Sequence, residues 1–314
     1  MKPLVSICIP TFKQKEYLQK CLTSVLEQSF LDFELIISDD TPDDSIEHFL
    51  KSFLKDHPYS YSRNNPALGN PENWNAAIAR AKGKYIKILH HDDFFTQKNS
   101  LEIMVKEIEA KQAAFIFCAS DVWDTQSNQH RRHFISPKQY NLLAEYPELL
   151  FFKNCIGAPS ATLYVNDNTF AYDKRLKWLV DVDLYLQFLF RKKKIIAIDE
   201  ALICTAHAAE GQVTSAVIND KSIQIKEHVL LYQKIKSQTD CKANFTSFFD
   251  RLFYQYSINT LDELFALVPE AKSDEPFFKN IISNLNSNRF FKHLKKRFFE
   301  SRYNNYIFKI EEFI

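Results

Sequence analysis

The sequence predicts an α/β protein, a mostly parallel sheet flanked by helices with a C-terminal helical appendage. Three observations carry this. Short apolar, β-rich runs alternate with amphipathic helical stretches through about residue 120. Polar side chains follow one strand after another, as at the carboxyl rim of an open parallel sheet. Beyond Asp220 the remaining signals are helical.

The elements follow in order. Residues 4–9 form a strand closed by Pro10, and Leu18, Leu22, Val25 and Leu26 give residues 16–28 a helical stripe. Residues 33–37 are the second strand, and Ile46, Phe49, Leu50, Phe53 and Leu54 mark the second helix. A weaker strand at 59–62 precedes an Ala-rich helix over 73–81 that stops near Gly83. Residues 85–89 are the fourth strand, 101–108 a helix and 114–118 the fifth strand. Residues 137–152 and 181–191 read as helices, 160–165 and 194–198 as strands, and 222–314 as helical throughout.

Composition removes several functions. The chain has 314 residues and only 4 glycines, Gly69, Gly83, Gly157 and Gly211. No two lie close enough to share a P-loop or a dinucleotide fingerprint, so a glycine cradle for phosphate is excluded. The formal charge of +1 leaves no global field to recruit nucleic acid. Six cysteines without CxxC spacing read as buried thiols of a reducing cytoplasm. No apolar run approaches a membrane span, and the apolar stretch after Met1 is too short for a signal peptide, so a cytoplasmic protein is expected.

Two motifs carry chemistry. His90-His91-Asp92-Asp93 follows the fourth strand, where carboxylates and imidazoles can hold a divalent cation. The alternative is that Asp92 or Asp93 caps a helix. Asp39, Asp40, Asp43 and Asp44 crowd together after the second strand. A turn and a helix cap account for Asp43 and Asp44. Asp39, directly at the strand end, could instead accept from a nucleobase imide or a ribose hydroxyl.

The order Val5-Ser6-Ile7-Cys8-Ile9-Pro10-Thr11-Phe12, Ser38-Asp39-Asp40, Asn65…Gly69…Asn75 and Ala81-Lys82-Gly83 through Asp93 resembles the family-2 glycosyltransferases of the GT-A fold, over about residues 3–215. The resemblance implies inverting transfer of a sugar from a nucleotide-sugar donor to a glycan or lipid-linked acceptor, with Mg²⁺ or Mn²⁺. It implies a catalytic domain over 1–220, with a nucleotide-sugar half to about 120 and an acceptor half beyond it, before the helical region 221–314. Position by position, Thr11 with Phe12, Lys13 and Glu16 matches the loop beneath the nucleotide. Asp39 matches the base-binding acid and Asp40 its neighbour. Asn65, Gly69 and Asn75 match the segment closing over base and ribose. The His90-to-Asp93 run matches the DxD-type motif, with His91 beside the donor, Asp92 and Asp93 toward the metal, and His90 in place of the first acid.

Trp178-Leu179-Val180-Asp181-Val182-Asp183 matches the family's later acidic pair, which makes Asp181 the candidate general base. Val180 stands where the family carries Glu. Helix capping is the alternative for Asp181, and Asp183, two residues on, cannot face the same way. His207, in His207-Ala208-Ala209-Glu210-Gly211, matches a loop whose His reaches the metal or diphosphate.

Residues 289–310 interleave basic and aromatic side chains, which suits either a membrane surface or a docked helix. A peripheral place on the inner membrane face is thus an expectation for 288–314. Two rivals stand beside the transferase. A sugar-nucleotide pyrophosphorylase needs a Gly-rich loop where Pro10-Thr11-Phe12-Lys13 lies. A non-catalytic nucleotide-sugar-binding scaffold would accommodate His90 and Val180 but leaves Asp39, Asp92 and Asp181 together unexplained.

Overall fold

A computed structural model describes residues 2–167, 169–208, 217, 219–239 and 242–289. The chain forms two compact units: Met1–Ser136, Cys155–Leu176 and Asp183–Gln212 in one, Pro137–Asn154, Lys177–Val182 and Val213–Ile314 in the other.

The first unit is built on nine strands: β1 (Val5–Thr11), β2 (Phe33–Asp39), β3 (Ser60–Arg63), β4 (Tyr85–Ile88), β5 (Phe94–Phe95), β6 (Phe115–Asp124), β7 (Gln129–His133), β8 (Thr162–Val165) and β9 (Ile195–His207). They form one sheet in the order β3-β2-β1-β4-β8-β6-β9-β5, with β7 paired to β6. The first four strands of that order are parallel, as the sequence predicts. The expected fifth strand is β6, but antiparallel β8 separates it from β4. β6 and β9 run parallel, and β5 closes the far edge antiparallel to β9.

Helices α1 (Lys15–Leu26), α2 (Ser45–Phe53), α3 (Glu72–Ile78) and α4 (Ser100–Lys111) connect the strands. β1 is buried along its whole length, which is why it reads as a mostly apolar run. Its core neighbours include Leu18, Leu22 and Val25 of α1 and Ile46 and Leu50 of α2, the residues of the two sequence stripes. Gly83 is required where it stands: a Cβ there would lie 2.6 Å from the Ser6 backbone nitrogen.

In the second unit a predicted single helix over 137–152 is two, α5 (Pro137–Glu145) and α6 (Leu149–Phe152), because Pro147 interrupts it. Helices α8 (Lys221–Ile235), α9 (Lys242–Gln255), α10 (Leu261–Leu267) and α11 (Glu275–Arg289) follow. Asp220 caps α8 by accepting from the Ile223 N–H at 2.9 Å, and Thr260 and Glu263 form a capping box on α10. Phe151, Phe245, Phe249, Phe253 and Phe278 fill the core between these helices, with Phe151 and Phe245 5.0 Å apart edge to face. The segment 290–314, with its basic and aromatic pattern, lies outside the described residues. Helix α7 (Val180–Phe190) carries Asp181.

Five cysteines are free and buried; Cys241 lies outside the described residues. Among the described residues no helix is long and apolar enough to cross a membrane.

Candidate active site

The parallel register places Thr11, Asp39 and Arg63 side by side at the carboxyl ends of β1, β2 and β3. Leu89 continues the row beside Cys8, so His90 to Asp93 leave the sheet on the same rim. This is where an open parallel sheet binds ligands.

At the end of β2 stand two carboxylates, Asp39 and Asp40, each held by its own hydrogen bonds. Asp39 is fully buried; one oxygen accepts from the Thr41 N–H at 2.8 Å and the other from the Tyr61 hydroxyl at 2.9 Å. Burial raises its pKa, and these bonds act against the rise. Asp40 pins the loop after β3: it accepts from the Leu68 N–H at 3.0 Å, the Gly69 N–H at 2.7 Å and the Asn64 amide at 2.8 Å. Gly69 takes φ +74° there, a conformation that favours glycine. Asn64 also donates to Asn73 at 3.0 Å. The sequence points to Asn65, which is exposed and cis to Pro66; its neighbour Asn64 ties the loop down. Asp43 and Asp44 act locally, Asp43 accepting from the Ser45 N–H and Asp44 preceding α2.

Thr11 is buried, and its hydroxyl has no hydrogen-bond partner. Its carbonyl accepts from the Asp40 N–H at 3.0 Å. Phe12 and Lys13 project outward, with the Lys13 ammonium 5.0 Å from the Phe12 ring. Lys13 and Gln14 both adopt positive φ, and the Lys13 N–H donates to the Thr41 hydroxyl at 2.7 Å. Glu16 is exposed in the first turn of α1.

The run after β4 makes a turn, with the Asp93 N–H donating to the His90 carbonyl at 3.0 Å. It then enters β5 rather than a helix, so the helix-cap alternative for Asp92 and Asp93 does not hold. Ligand atoms of His90, Asp92 and Asp93 converge within 4.8 Å of one another. Among the described residues His207 does not join this group; it is exposed at the end of β9, and its carbonyl accepts from Thr125. The loop following Ala208 lies outside the described residues. His91 pairs with Gln14 at 2.9 Å.

Burial shapes this cluster. It lowers the His90 pKa to about 4, which leaves the imidazole neutral and able to ligate, and raises that of Asp93. His90 Nε2 is buried without a hydrogen-bond partner. Asp93 also accepts from the Ala206 N–H at 2.9 Å, so it joins the turn to β9. Beneath them Lys87, fully buried, donates to the carbonyls of Ser160 and Thr162. The Ser160 hydroxyl accepts from the His90 N–H at 3.0 Å. The Trp74 ring lies against His90, tilted by 42°, at 4.5 Å between ring centres.

In the second unit Asp181 is half-buried in the first turn of α7. One oxygen accepts from the Val182 N–H and the other from the Asn154 amide, each at 2.8 Å. Because α7 begins at Val180, Asp181 lies inside the helix and is not its cap. Desolvation raises its pKa to about 7. In the first unit Asp183 is buried and accepts from the Gln187 amide at 3.0 Å.

Carboxylates and an Asp/His group thus gather on the rim of the parallel half-sheet, where open parallel sheets bind ligands. The chain belongs to glycosyl transferase family 2, whose sequence pattern matches residues 6–194. It is 25% identical over 235 residues to an uncharacterized glycosyltransferase of Rickettsia typhi, covering 73% of this chain and 70% of that one. It is 26% identical over 223 residues to the putative colanic acid biosynthesis glycosyl transferase WcaA of Escherichia coli, covering 68% and 76%. Among solved structures, S. aureus TarS 1–349 in complex with UDP-GlcNAc superposes with a TM-score of 0.59 at 18% identity, covering 91% of this chain and 80% of that one. The mannosyltransferase PcManGT from Pyrobaculum calidifontis, in complex with GDP-Man and Mn²⁺, superposes with a TM-score of 0.56 at 11% identity, covering 93% and 88%. The fold is therefore that of GT-A glycosyltransferases, as the sequence predicts.

Proposed function

We propose that the protein is an inverting glycosyltransferase of surface-polysaccharide synthesis. It moves a hexosyl or N-acetylhexosaminyl group from a UDP-sugar to a hydroxyl of a glycan or lipid-linked acceptor. The observation that carries this reading is the convergence of His90, Asp92 and Asp93 at the end of β4 in a family-2 chain. Residues 1–220 serve as the catalytic domain, and 221–314 as a helical region whose last segment meets the inner face of the cytoplasmic membrane.

The donor set suits a divalent cation. Two carboxylates and the neutral His90 imidazole, whose buried Nε2 has no hydrogen-bond partner, fit Mn²⁺, and Mg²⁺ less well because it favours oxygen alone. Asp92 and Asp93 would hold the ion with His90, while His207, exposed at the end of β9 outside that group, would at most meet the diphosphate. When bound, the ion supplies charge neutralisation for the diphosphate leaving group.

The chain's residues supply the rest. Asp39 accepts from the base, while Thr11, Phe12, Lys13, Glu16 and His91 line the path of the nucleotide. Asp40 and Asn75 act indirectly, holding the segments that close over the ribose, with Asn65 at the loop's exposed tip. Asp181 accepts the proton of the acceptor hydroxyl as that oxygen attacks the anomeric carbon from the face opposite the diphosphate. The new C–O bond forms as the bond to the β-phosphate breaks, and the nucleoside diphosphate leaves. A carboxylate with a pKa near 7 suits this base role at neutral pH.

A thermal-shift panel of UDP-, GDP-, CDP- and dTDP-sugars, with and without Mn²⁺, tests the reading. Metal-dependent stabilisation by the UDP class is expected. Equal stabilisation with and without metal overturns the metal-dependent reading, and no response to any donor overturns the transferase reading and favours a scaffold.

A further inference from the structure

We infer that Glu227 is the positioning residue of the base: its carboxylate holds the turn that starts α7 and thereby sets Asp181. The inference rests on the reading of Asp181 as the base.

Glu227 lies in the middle of α8 and is 2% exposed. It accepts three successive backbone N–H groups, from Lys177 at 2.7 Å and from Trp178 and Leu179 at 2.8 Å each. These donors lie in the bend just before α7, which starts at Val180, so the clamp fixes the entry of the chain into the helix. A local Ser, Thr, Asp or Asn ordinarily satisfies them, but Lys177, Trp178 and Leu179 supply no such side chain. An acid from another helix does so instead, at the cost of burying a carboxylate.

The consequence falls on Asp181, two residues beyond the last clamped N–H. Glu227 fixes its backbone, and the Asn154 amide, 2.8 Å from its side chain, fixes the carboxylate. Val180, between clamp and base, is buried, as is the clamped Leu179. The clamp is also a charge. Glu227 is the anion facing Asp181 from α8, and it pushes the Asp181 pKa upward beyond the effect of burial. Burial raises the Glu227 pKa, while the three backbone N–H donors and the Lys177 charge act against that rise. Asn154, on the segment after α6, and the Val182 N–H are neutral donors that favour the Asp181 anion. Geometry and field therefore meet in one side chain.

The test needs no donor. Protein labelled with ¹³C at aspartate carboxyls is titrated, and the Asp181 signal is identified by its absence from Asp181→Asn. The wild-type signal should titrate near pH 7. In Glu227→Gln it should titrate lower by about half a unit or more, and the amides of residues 177–179 should lose hydrogen-exchange protection. An unchanged midpoint with unchanged protection in a folded Glu227→Gln protein overturns the inference. Should that variant not fold, Glu227→Asp keeps the charge but is too short to reach all three N–H groups. Lost protection with an altered midpoint then supports the clamp, and wild-type behaviour in both overturns it. Sugar transfer by Asp181→Asn is measured separately: wild-type turnover there would reject Asp181 as base and leave the clamp standing.

Discussion

Asn75 holds both backbone polar groups of Tyr172: its amide nitrogen donates to the Tyr172 carbonyl at 2.8 Å, and its amide oxygen accepts from the Tyr172 N–H at 3.2 Å. A residue that sequence resemblance assigns to the ribose thus spends its side chain on the protein. The bond fixes α3, and with it Trp74, which meets the Tyr172 ring edge-on at 5.0 Å and covers His90. Asn75→Ala should cost about 1–3 kcal/mol by leaving two backbone groups unpaired, read from urea unfolding. Its effect on nucleotide affinity should follow the misplacement of Trp74 and be matched by Trp74→Ala.

Asp40→Ala should free the loop after β3, because the Leu68 and Gly69 N–H groups and the Asn64 amide lose their acceptor together. A loss of about 2–4 kcal/mol is expected, with new proteolytic cleavage between residues 64 and 70. Asp43→Ala, whose partner Ser45 is exposed with it, should change stability by no more than about 0.5 kcal/mol.

Asp92→Asn should abolish the Mn²⁺-dependent part of donor stabilisation while leaving the melting temperature of the free protein nearly unchanged. His90→Ala should weaken Mn²⁺ binding and open a void beneath Trp74. Isothermal titration with Mn²⁺ and a nucleoside diphosphate separates the two.

The raised Asp181 pKa makes stability depend on pH in a defined direction. Between about pH 4, where an unfolded Asp ionises, and the folded value near 7, the native state holds a proton that the unfolded state has lost. This group's contribution is therefore full at low pH and falls as pH rises toward 7. Asp181→Asn should accordingly gain on wild type across that window, by about 1–3 kcal/mol once the partial exposure of the carboxylate is allowed for, and hold a constant difference above it. Urea unfolding at pH 5 and pH 8 gives the comparison.

Much of this was legible in the residues. β1, β2 and β4 stand out because they are short, mostly apolar and largely buried. β9 reads as a short strand over 194–198 because Asp199 and Glu200 interrupt its apolar pattern, yet it continues to His207 across a bulge. β7, with the sequence Gln-His-Arg-Arg-His, has no apolar face to announce it. The rim acids were visible from their strand-end positions. Asn64, Asn154 and Glu227 were not, because each acts through backbone or amide contacts made far along the chain, and polar residues in loops and helices carry no local signal of such partners. Glu227 in particular looks like an ordinary surface acid of α8.

The most direct measurement is sugar transfer by Asp181→Asn, using the donor that the thermal-shift panel identifies. Loss of general-base catalysis predicts a fall in turnover of about a hundredfold to ten-thousandfold, with nucleotide affinity within about twofold of wild type. Wild-type turnover in a folded Asp181→Asn protein would contradict the account.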